Sequence, residues 1–254
     1  MTRVQKLGFY ATPRHDCNYL PGRVATTLFA DPRFPKNSRL YAALAECGFR
    51  RSGEHLYVPH CGGCSACIPV RIPVAEFRRS RGQNRAWRRN ADLEIRLLPA
   101  GFHAEHFALY RRYLGSRHAG SGMDDPTPEN YLEFLAATWS ETMFIEMRLA
   151  GRLAAVAVAD LMHNALSAVY TFYEPELSRR SLGRFAILFE IEEARRRRLP
   201  WIYLGYWIEH CRKMNYKTEY QPIEYYINNE WRRTMHGGEP QALPEDNGGQ
   251  SQNS

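Results

Sequence analysis

The stretch that decides the fold of this chain is Tyr203-Leu-Gly-Tyr-Trp-Ile-Glu-His-Cys-Arg-Lys-Met-Asn-Tyr-Lys217. It belongs to a segment that opens with a short apolar run at residues 201–204, which predicts a buried strand. Gly205 then leads into a polar segment that ends with two lysines and a tyrosine. A core strand that continues into a basic, aromatic loop commonly delivers functional groups to a cleft. The alternative is a core strand with a solvated exit.

The segments before this stretch predict a meander followed by a helix. Residues 143–149, 153–161 and 166–173 have the apolar patterns of three antiparallel strands. A helix is predicted over residues 181–198, and Pro200 ends it. Three antiparallel strands, a basic loop that enters a helix and a further strand resemble the GNAT acyltransferase fold. We therefore expect an α+β, GNAT-like acyltransferase fold with an N-terminal cysteine-containing subdomain.

The loop that enters this helix reads Arg180-Ser-Leu-Gly183-Arg-Phe185. Its pattern is similar to the Arg/Gln-x-x-Gly-x-Gly/Ala motif at the corresponding helix of GNAT enzymes. Free N–H groups and the helix dipole favour a phosphate at such a position. Phe185 stands where a small residue would leave room for the pyrophosphate of coenzyme A, which argues against an acyl-CoA donor. A glycine in the first turn of an ordinary helix is the alternative.

The N-terminal third predicts a smaller mixed region. A helix is expected from Ser38 to Gly48, followed by a hairpin within residues 49–58. Residues 68–74 alternate like a strand, although two prolines assign them to an edge or irregular strand. Further helices are predicted over residues 102–117 and after Thr127.

Composition favours an acidic partner. The net charge is +7 and the pI about 9.2, with only four lysines, so nearly all of the positive charge is arginine. Nucleic acid is the first candidate partner and an anionic peptide the second, while codon usage alone can also enrich arginine. The N-terminus is polar and the longest purely apolar run, residues 153–159, is too short to span a bilayer. We expect a cytoplasmic protein that does not bind membranes.

Residues 77–90 hold a dense arginine run with Trp87 inside it. A phosphate backbone would use such a density of charge, and the aromatic ring could stack on bases. The alternative is a solvated face. The six arginines are Arg78, Arg79, Arg81, Arg85, Arg88 and Arg89.

Four cysteines have spacings that allow their thiolates to converge, and they are Cys17, Cys61, Cys64 and Cys67. The Gly62-Gly63 pair permits the tight turn that convergence requires. Four thiolates suit tetrahedral zinc or an iron–sulfur cluster, and buried structural or free thiols are the alternative. Cys47 and Cys211 are expected to be spectators.

Several motifs together resemble the arginyl-tRNA–protein transferase family, in the spacing of its compact bacterial branch. These motifs are the 203–217 run, Cys17-x-Tyr-Leu-Pro21, Cys64-x-x-Cys67-x-Pro-Val-Arg71, and Tyr110-x-x-Tyr113 with Arg117-His118. The resemblance covers residues 17–231. It departs from the cluster-binding eukaryotic members, which have a Cys-x-x-Cys pair near the start, since Leu20 replaces the second of those cysteines. Ala66 precedes Cys67, where those members carry adjacent cysteines.

This resemblance implies an enzyme that transfers leucine from leucyl-tRNA to proteins with an N-terminal Asp or Glu. The product is marked for degradation by the N-end rule pathway, and the chemistry itself requires no cofactor. We expect a cysteine-containing subdomain at residues 1–75, a GNAT-like aminoacyltransferase domain at 76–236 and a disordered tail at 237–254. An acetyl-CoA-dependent N-acetyltransferase and a non-catalytic, metal-containing RNA-binding protein are the alternatives.

Roles can be assigned to particular residues on this basis. Arg180 and the N–H groups near Gly183 are expected to hold the terminal tRNA phosphate, and Tyr206 to line the aminoacyl pocket. No general base is assigned. The residues expected to hold other parts of the tRNA are Lys213, Tyr216, Lys217, Arg85 and Arg88. The residues expected to recognise the acidic N-terminus are Arg71, Arg117 and His118.

Overall fold

The computed structural model describes residues 6–117 and 126–233. The strands in these ranges are β1 (Phe9–Ala11), β2 (His15–Asp16), β3 (Val24–Ala25), β4 (Thr27–Ala30), β5 (Arg50–Ser52), β6 (His55–Pro59), β7 (Ile68–Pro73), β8 (Leu93–Pro99), β9 (Glu141–Leu149), β10 (Arg152–Leu161), β11 (Ala165–Tyr173), β12 (Trp201–Trp207), β13 (Glu224–Ile227) and β14 (Glu230–Arg233). The helices are α1 (Ser38–Glu46), α2 (Arg81–Arg89), α3 (Ala104–Arg117), α4 (Pro128–Leu135) and α5 (Leu182–Arg196), with 3₁₀ helices at Pro175–Arg180 and Asn215–Glu219.

A large mixed sheet dominates the described part of the chain. Its eight strands run in the order β14-β13-β7-β12-β11-β10-β9-β8, and β1-β4-β6-β5 form a second sheet. Strands β8 to β11 form an antiparallel series, and β12 then pairs with β11 in parallel. The predicted α+β class and the predicted antiparallel meander are confirmed.

The two faces of the large sheet carry different helices. On β10, Val156 and Val158 point into a cluster with α3 and α4. The alternate residues of β10 are alanines, and they point into a cluster with α5. Because the alanine side chains are small, α5 packs close to the sheet. Its buried face is therefore brought next to β11 and β12.

A buried ion pair joins the small sheet to the large one. Arg51 of β5 contacts Asp160 of β10 through two hydrogen bonds of 2.6 and 2.9 Å, and both side chains have an exposed fraction of 0%. Thr142 donates to the same carboxylate at 2.6 Å. A further bond from the Arg51 guanidinium, of 2.8 Å, reaches the Leu135 carbonyl at the end of α4. This network fixes β5 relative to both the sheet and its helical cover.

The predicted helices are confirmed, with small changes at their ends. Asn37, rather than Ser38, caps α1, because its side chain accepts bonds from two backbone N–H groups. Thr127 caps α4 as predicted, and Pro128 occupies its first turn. No helix in residues 6–117 and 126–233 is long and apolar enough to cross a membrane.

Strand β7 corrects the prediction of an edge strand. It lies inside the large sheet, between β12 and β13. Strand β13 pairs only with Val70 and Arg71, so the nitrogens of Pro69 and Pro73 need not donate to it. The boundary predicted after residue 75 stays a proposal, with β7 contributing to the large sheet. The predicted tail at 237–254 lies outside the described residues.

Gly53 in the β5–β6 turn offers a test of how closely this turn approaches α4. Its φ is +54°, and an added Cβ would lie 2.2 Å from the carbonyl oxygen of Glu133. Gly151 has φ +80° and no heavy atom within 4 Å of its added Cβ. Backbone strain of about 1–2 kcal/mol affects both alanine variants, and overpacking adds ~1–3 kcal/mol only at Gly53.

We therefore expect Gly53→Ala to lower the free energy of unfolding more than Gly151→Ala, by at least about 1 kcal/mol. Urea denaturation of the two variants and of the parent chain measures the difference. Equal losses would show that α4 moves aside without cost, and would contradict the close approach.

Candidate active site at the divergence of two parallel strands

A gap in the large sheet opens between β11 and β12. These strands pair only where residues 165–167 meet residues 201–203, although β11 runs on to Tyr173 and β12 to Trp207. On its other edge β12 pairs with β7, with a register shift next to Gly205, whose φ is +84°. Parallel strands that separate leave backbone groups without ladder partners. The gap therefore leaves backbone N–H and C=O groups without ladder partners inside the fold.

Arg50 fills part of this gap. Its Nη2 donates to the Ala168 carbonyl of β11 at 2.7 Å, and its exposed fraction is 8%. A Cβ on Gly205 of β12 would lie 3.5 Å from its Nε, so the guanidinium lies over the bare backbone of that glycine. Arg50 and Arg51 are adjacent on β5, and strand alternation directs their side chains to opposite sides.

Lys217 lies buried beside the gap. Its Nζ donates to the Tyr206 carbonyl of β12 and lies 3.4 Å from Met214 Sδ. Burial first, and the charge of Arg50 second, lower the pKa of this amine to about 7. No carboxylate pairs with it in the described part of the chain. The amine therefore gains or loses its proton near neutral pH.

Glu190 reaches the same region from α5. The residue is 1% exposed, and neither carboxylate oxygen has a hydrogen-bond partner among the described residues. Burial raises the pKa of this carboxyl to about 8, and the charge of Arg50 opposes that rise. A buried carboxyl of this kind is largely protonated at neutral pH until a cation joins it.

Tyr216 lies next to Glu190, on the second 3₁₀ helix. The residue is 40% exposed, but its hydroxyl end is buried. That burial first, and the charge of Glu190 second, raise the pKa of the hydroxyl to about 12. Arg50, Glu190, Tyr216 and Lys217 thus form one polar cluster at the strand divergence, here called the gap cluster. It combines a permanent cation, Arg50, with two groups, Glu190 and Lys217, whose pKa values lie near that of an α-amine.

The predicted loop residues separate into surface and interior positions. Lys213 is exposed, and Tyr216 is partly so. Lys217 points inward, as described above. Tyr206 is 2% exposed, and its hydroxyl lies 3.1 Å from the Gly48 carbonyl and 3.3 Å from that of Tyr57. Tyr206 is therefore a packing residue between the two sheets in this structure.

The predicted phosphate site at the start of α5 is strongly basic but partly paired. Arg180 contacts Asp92 at 2.8 and 2.9 Å and donates to the Arg89 carbonyl at 3.1 Å. A surface cavity of about 550 Å³ is lined by Arg89, Arg179 and Arg180. Ser181 precedes the helix with φ +58° and makes no side-chain cap bond. The first N–H groups of α5 therefore lack a side-chain cap.

Two residues of this loop differ from their predicted roles. An added Cβ on Gly183 would meet only Tyr173, at an ordinary distance of 3.5 Å, so close packing does not require this glycine. Phe185 is 4% exposed and packs on Trp87, with ring centroids 5.2 Å apart. Its ring lies in the core and does not fill the space at the helix start. The position of the Phe185 ring therefore gives no support to the expected exclusion of a coenzyme A pyrophosphate.

Helix α2 turns the arginine run into one exposed basic face. Its start is a capping box, in which the side chains of Ser80 and Gln83 each bond the backbone of the other residue. Trp87 is held by Phe185 and by the guanidinium of Arg79, 4.3 Å from its ring, so it does not lie free for base stacking. The exposed arginines of α2 are Arg81, Arg85, Arg88 and Arg89.

Arg71, the first residue predicted to recognise an acidic N-terminus, is already held by acidic and aromatic side chains. Arg71 is bonded to Glu224 at 2.8 Å and to Glu46 at 2.7 Å. Its guanidinium also lies 3.7 Å from the ring of Trp201 and 4.2 Å from that of Trp231. These contacts make Arg71 a structural link.

Of the other two predicted residues, Arg117 lies in the described part of the chain, at the end of α3. Arg117 is exposed and contacts the hydroxyl and ring of Tyr173. His118 lies outside the described residues.

Three of the four predicted cysteines lie around one cavity. Cys17, Cys61 and Cys67 line a cavity of about 320 Å³. Burial first, and then the charges of Cys17, Cys61, Cys64 and Cys211, raise the pKa of the Cys67 thiol to about 12. Cys211, predicted as a spectator, therefore belongs to this group.

These thiols do not fit a metal site as they are arranged. Within residues 6–117 and 126–233, no group of three or more His, Cys, Asp or Glu side chains could hold a metal ion.

The sequence carried a signal for one of the residues that the prediction missed. One face of the predicted helix has the spacing i, i+1, i+4, i+5, i+8, and the structure buries all five of its residues: Ala186, Ile187, Glu190, Ile191 and Ala194. An acidic residue at a core position marks a group to be explained. Arg50 gave no comparable signal, because an arginine in a short hairpin strand is ordinarily solvated.

Comparison with known proteins gives the class of this chain. The family model for the N terminus of arginine-tRNA-protein transferase matches residues 15–85, and the model for its C terminus matches residues 105–227. The protein is a transferase that uses aminoacyl-tRNA. It belongs to the arginine-tRNA-protein transferase family, which confirms the resemblance predicted from its motifs.

Relatives in this family are similar over most of their length. Proteins named aspartate/glutamate leucyltransferase match at 54% identity in Pseudomonas fluorescens (strain Pf0-1) and at 55% in Pseudomonas putida (strain W619), each over 91% of this chain and 98% of the relative. One from Hahella chejuensis matches at 52% identity over 91% of this chain and 99% of the relative. Among solved structures, L-PGS from Bacillus licheniformis aligns with a TM-score of 0.45 and 12% identity, over 65% of this chain and 49% of that one.

Lys217 makes stability depend on pH in a defined window. The pKa of its amine is about 7 in the folded protein, against an ordinary value of 10.5. Between these values the unfolded chain binds more protons at this position, so the stability contribution rises with pH. We expect the stability of the parent chain relative to Lys217→Met to rise from pH 7 to 10, by up to ~1.4 kcal/mol per pH unit.

Urea denaturation of both proteins across this pH range measures the effect. The matched control is Lys213→Met, which removes an exposed amine and should follow the parent curve. Parallel curves for the parent chain and Lys217→Met would show that the amine is not held in its neutral form.

Proposed function

We propose that this enzyme transfers leucine from leucyl-tRNA to the N-terminal Asp or Glu of proteins. The observation that carries the proposal is the 52–55% identity, over 91% of the chain, to proteins named aspartate/glutamate leucyltransferase. The transfer would mark its products for degradation by the N-end rule pathway in the cytoplasm. The leucyl-tRNA donor and the acidic acceptor both suit a chain of net charge +7.

The reaction joins an amine to an ester that is already activated. The α-amine nitrogen attacks the ester carbonyl carbon, a C–N bond forms, and the C–O bond to the ribose breaks. One proton is lost to solvent when the ammonium becomes an amine, and a second passes to the departing ribose oxygen. Holding the two reactants together can supply about 7–11 kcal/mol. An α-ammonium titrates near 7.7–8.0, so the gap cluster has to shift that pKa only slightly.

The strand divergence favours a GNAT-like use of the fold. In our proposal, the acceptor amine and the aminoacyl group meet between β11 and β12, where Ala168 and Gly205 present backbone. Helix α5 follows the meander and starts beside the basic cavity of Arg89, Arg179 and Arg180. The proposed anion site at the start of α5 and the proposed acyl site in the gap would thus follow one another along a single route from the helix to the sheet.

The tRNA would bind across the basic face next to this path. Arg85 and Arg88 are exposed on α2 and have no partner among the described residues, so their guanidinium groups can bind phosphate. Lys213, in the loop after β12, adds an exposed cation near the gap. Arg180 would join them by exchanging Asp92 for a phosphate. We assign no role to a cofactor.

Charge removal on α2 tests this surface. We expect Arg85→Gln and Arg88→Gln each to weaken leucyl-tRNA binding, and each to reduce the slope of log affinity against log salt by about 1. Filter binding at several salt concentrations gives both quantities. Arg39→Gln, which removes an exposed arginine from α1, is the control. Unchanged slopes in both α2 variants would place the tRNA on another face.

The activity itself is tested with purified protein, individually charged tRNAs and peptides that differ only at residue one. We expect labelled leucine to appear on peptides that begin with Asp or Glu, and on neither the Lys nor the Gly peptide. Transfer of arginine in place of leucine would contradict the donor assignment. Binding of coenzyme A with no transfer from any tRNA would replace the proposal with an N-acetyltransferase.

A further inference from the structure

We propose that Arg50 and Glu190 together form the receptor for the acidic N-terminal residue. Glu190 would bind the α-ammonium of that residue, and Arg50 its side-chain carboxylate. This inference rests on the proposed function, because it names the groups that select the acceptor in that reaction. It replaces Arg71 and Arg117 with two residues that lie inside the gap cluster.

Glu190 has the properties of a group that awaits a cation. Its residue is 1% exposed, and both carboxylate oxygens lack a hydrogen-bond partner in the described part of the chain. Its neighbours one turn away on the buried face of α5 include Ala186, Ile187 and Ala194. A buried polar group without a partner lowers stability, so a folded protein rarely keeps one without a use. An ammonium ion carries three N–H donors, so it can donate a hydrogen bond to each of these two oxygens.

Arg50 has the complementary property. Three arginines are buried in the described residues: Arg50, Arg51 and Arg71. Arg51 is paired with Asp160, and Arg71 with Glu46 and Glu224. Arg50 makes one hydrogen bond, to a backbone carbonyl, and has no carboxylate partner among these residues. Most of the five N–H donors of its planar guanidinium are therefore free. Two of them can donate to the two oxygens of one carboxylate.

The two groups are close enough to affect each other without being bonded. The charge of Arg50 lowers the pKa of Glu190, yet Glu190 forms no hydrogen bond with it. A buried guanidinium and a buried carboxyl that are not bonded to each other match a ligand that carries both a carboxylate and an ammonium group. An N-terminal Asp or Glu is such a ligand, since its ammonium and its side-chain carboxylate leave the same α-carbon in different directions.

The surroundings of the pair allow a chain terminus to enter. Gly205 places no side chain beneath the Arg50 guanidinium. Tyr216 lies beside Glu190 and is 40% exposed, so the cluster includes a residue that reaches solvent. Ammonium binding at Glu190 would also leave the amine next to the backbone of β11 and β12, where the ester is proposed to lie.

This arrangement makes selection depend on two charges. A peptide that begins with Asn offers no anion to Arg50, and one that begins with Lys offers a cation. A succinyl peptide, which equals an Asp peptide without its amine, offers no cation to Glu190. A site built around buried polar groups rejects ligands that leave those groups unpaired, by factors of about 100 or more.

The Arg50 half is tested by measuring kcat/KM for leucine transfer to peptides that begin with Asp or Asn. We expect the parent protein to prefer Asp by at least about 100-fold. In Arg50→Gln this ratio should fall to about tenfold or less, with Arg50→Lys between the two. The matched control is Arg51→Lys, which alters the neighbouring buried arginine: it should melt at a lower temperature and keep the Asp/Asn ratio.

The Glu190 half is tested by competitive inhibition of leucine transfer. In the parent protein, an Asp peptide should bind at least about 10-fold more tightly than the matching succinyl peptide. Glu190→Gln keeps the shape of the side chain and should bring the two affinities within about threefold. Leucyl-tRNA binding by each variant, measured on filters, should match the parent, which shows that the variants are folded.

The possible failures are distinguishable. If the parent protein transfers leucine to no acidic peptide, the proposed function fails. If the parent protein prefers Asp strongly, and folded Arg50→Gln and Glu190→Gln keep the parent ratios, the receptor lies elsewhere and only this inference is overturned.

Discussion

The buried ion pair between Arg51 and Asp160 is the interaction on which the rest of this structure depends. Both side chains are shielded from water, so the pair is stable only because Thr142, Tyr41 and the Leu135 carbonyl complete its hydrogen bonds. Its partners come from β5, β9, β10, α1 and the end of α4. The pair therefore holds the four-stranded sheet, the eight-stranded sheet and a covering helix in one arrangement.

The position of the candidate site follows from that arrangement. Once Arg51 is anchored on one side of β5, strand alternation directs Arg50 to the other side, where β11 and β12 separate. Arg50 then supplies a donor to a carbonyl that lost its ladder partner, and its charge acts on both Glu190 and Lys217. Three ionisable groups without opposite partners would be costly in an ordinary core, whereas a binding site for a charged substrate explains them.

The success of prediction differed between the fold and the site. The meander, α1, α3, α4 and α5 were predicted well, because each is encoded by local periodicity and by caps such as Thr127. The placement of β7 inside the sheet was missed, since its two prolines predict an edge strand and the sequence does not show that β13 pairs only with Val70 and Arg71. The family was also predictable, because the 203–217 run and the cysteine motifs survive as linear patterns.

The sequence by itself determined the class of elements, the basic run at residues 77–90 and the family of the enzyme, because these depend on residues close together in the chain. Only the tertiary structure decided which charged residues are available to a substrate. Arg71 and Arg50 cannot be distinguished from the sequence alone. In the structure, Arg71 is held by two carboxylates and two indole rings, whereas Arg50 lies nearly unpaired in the sheet. The physical reason is that availability depends on burial and on partners more than one hundred residues away, such as Ala168 and Glu190 for Arg50.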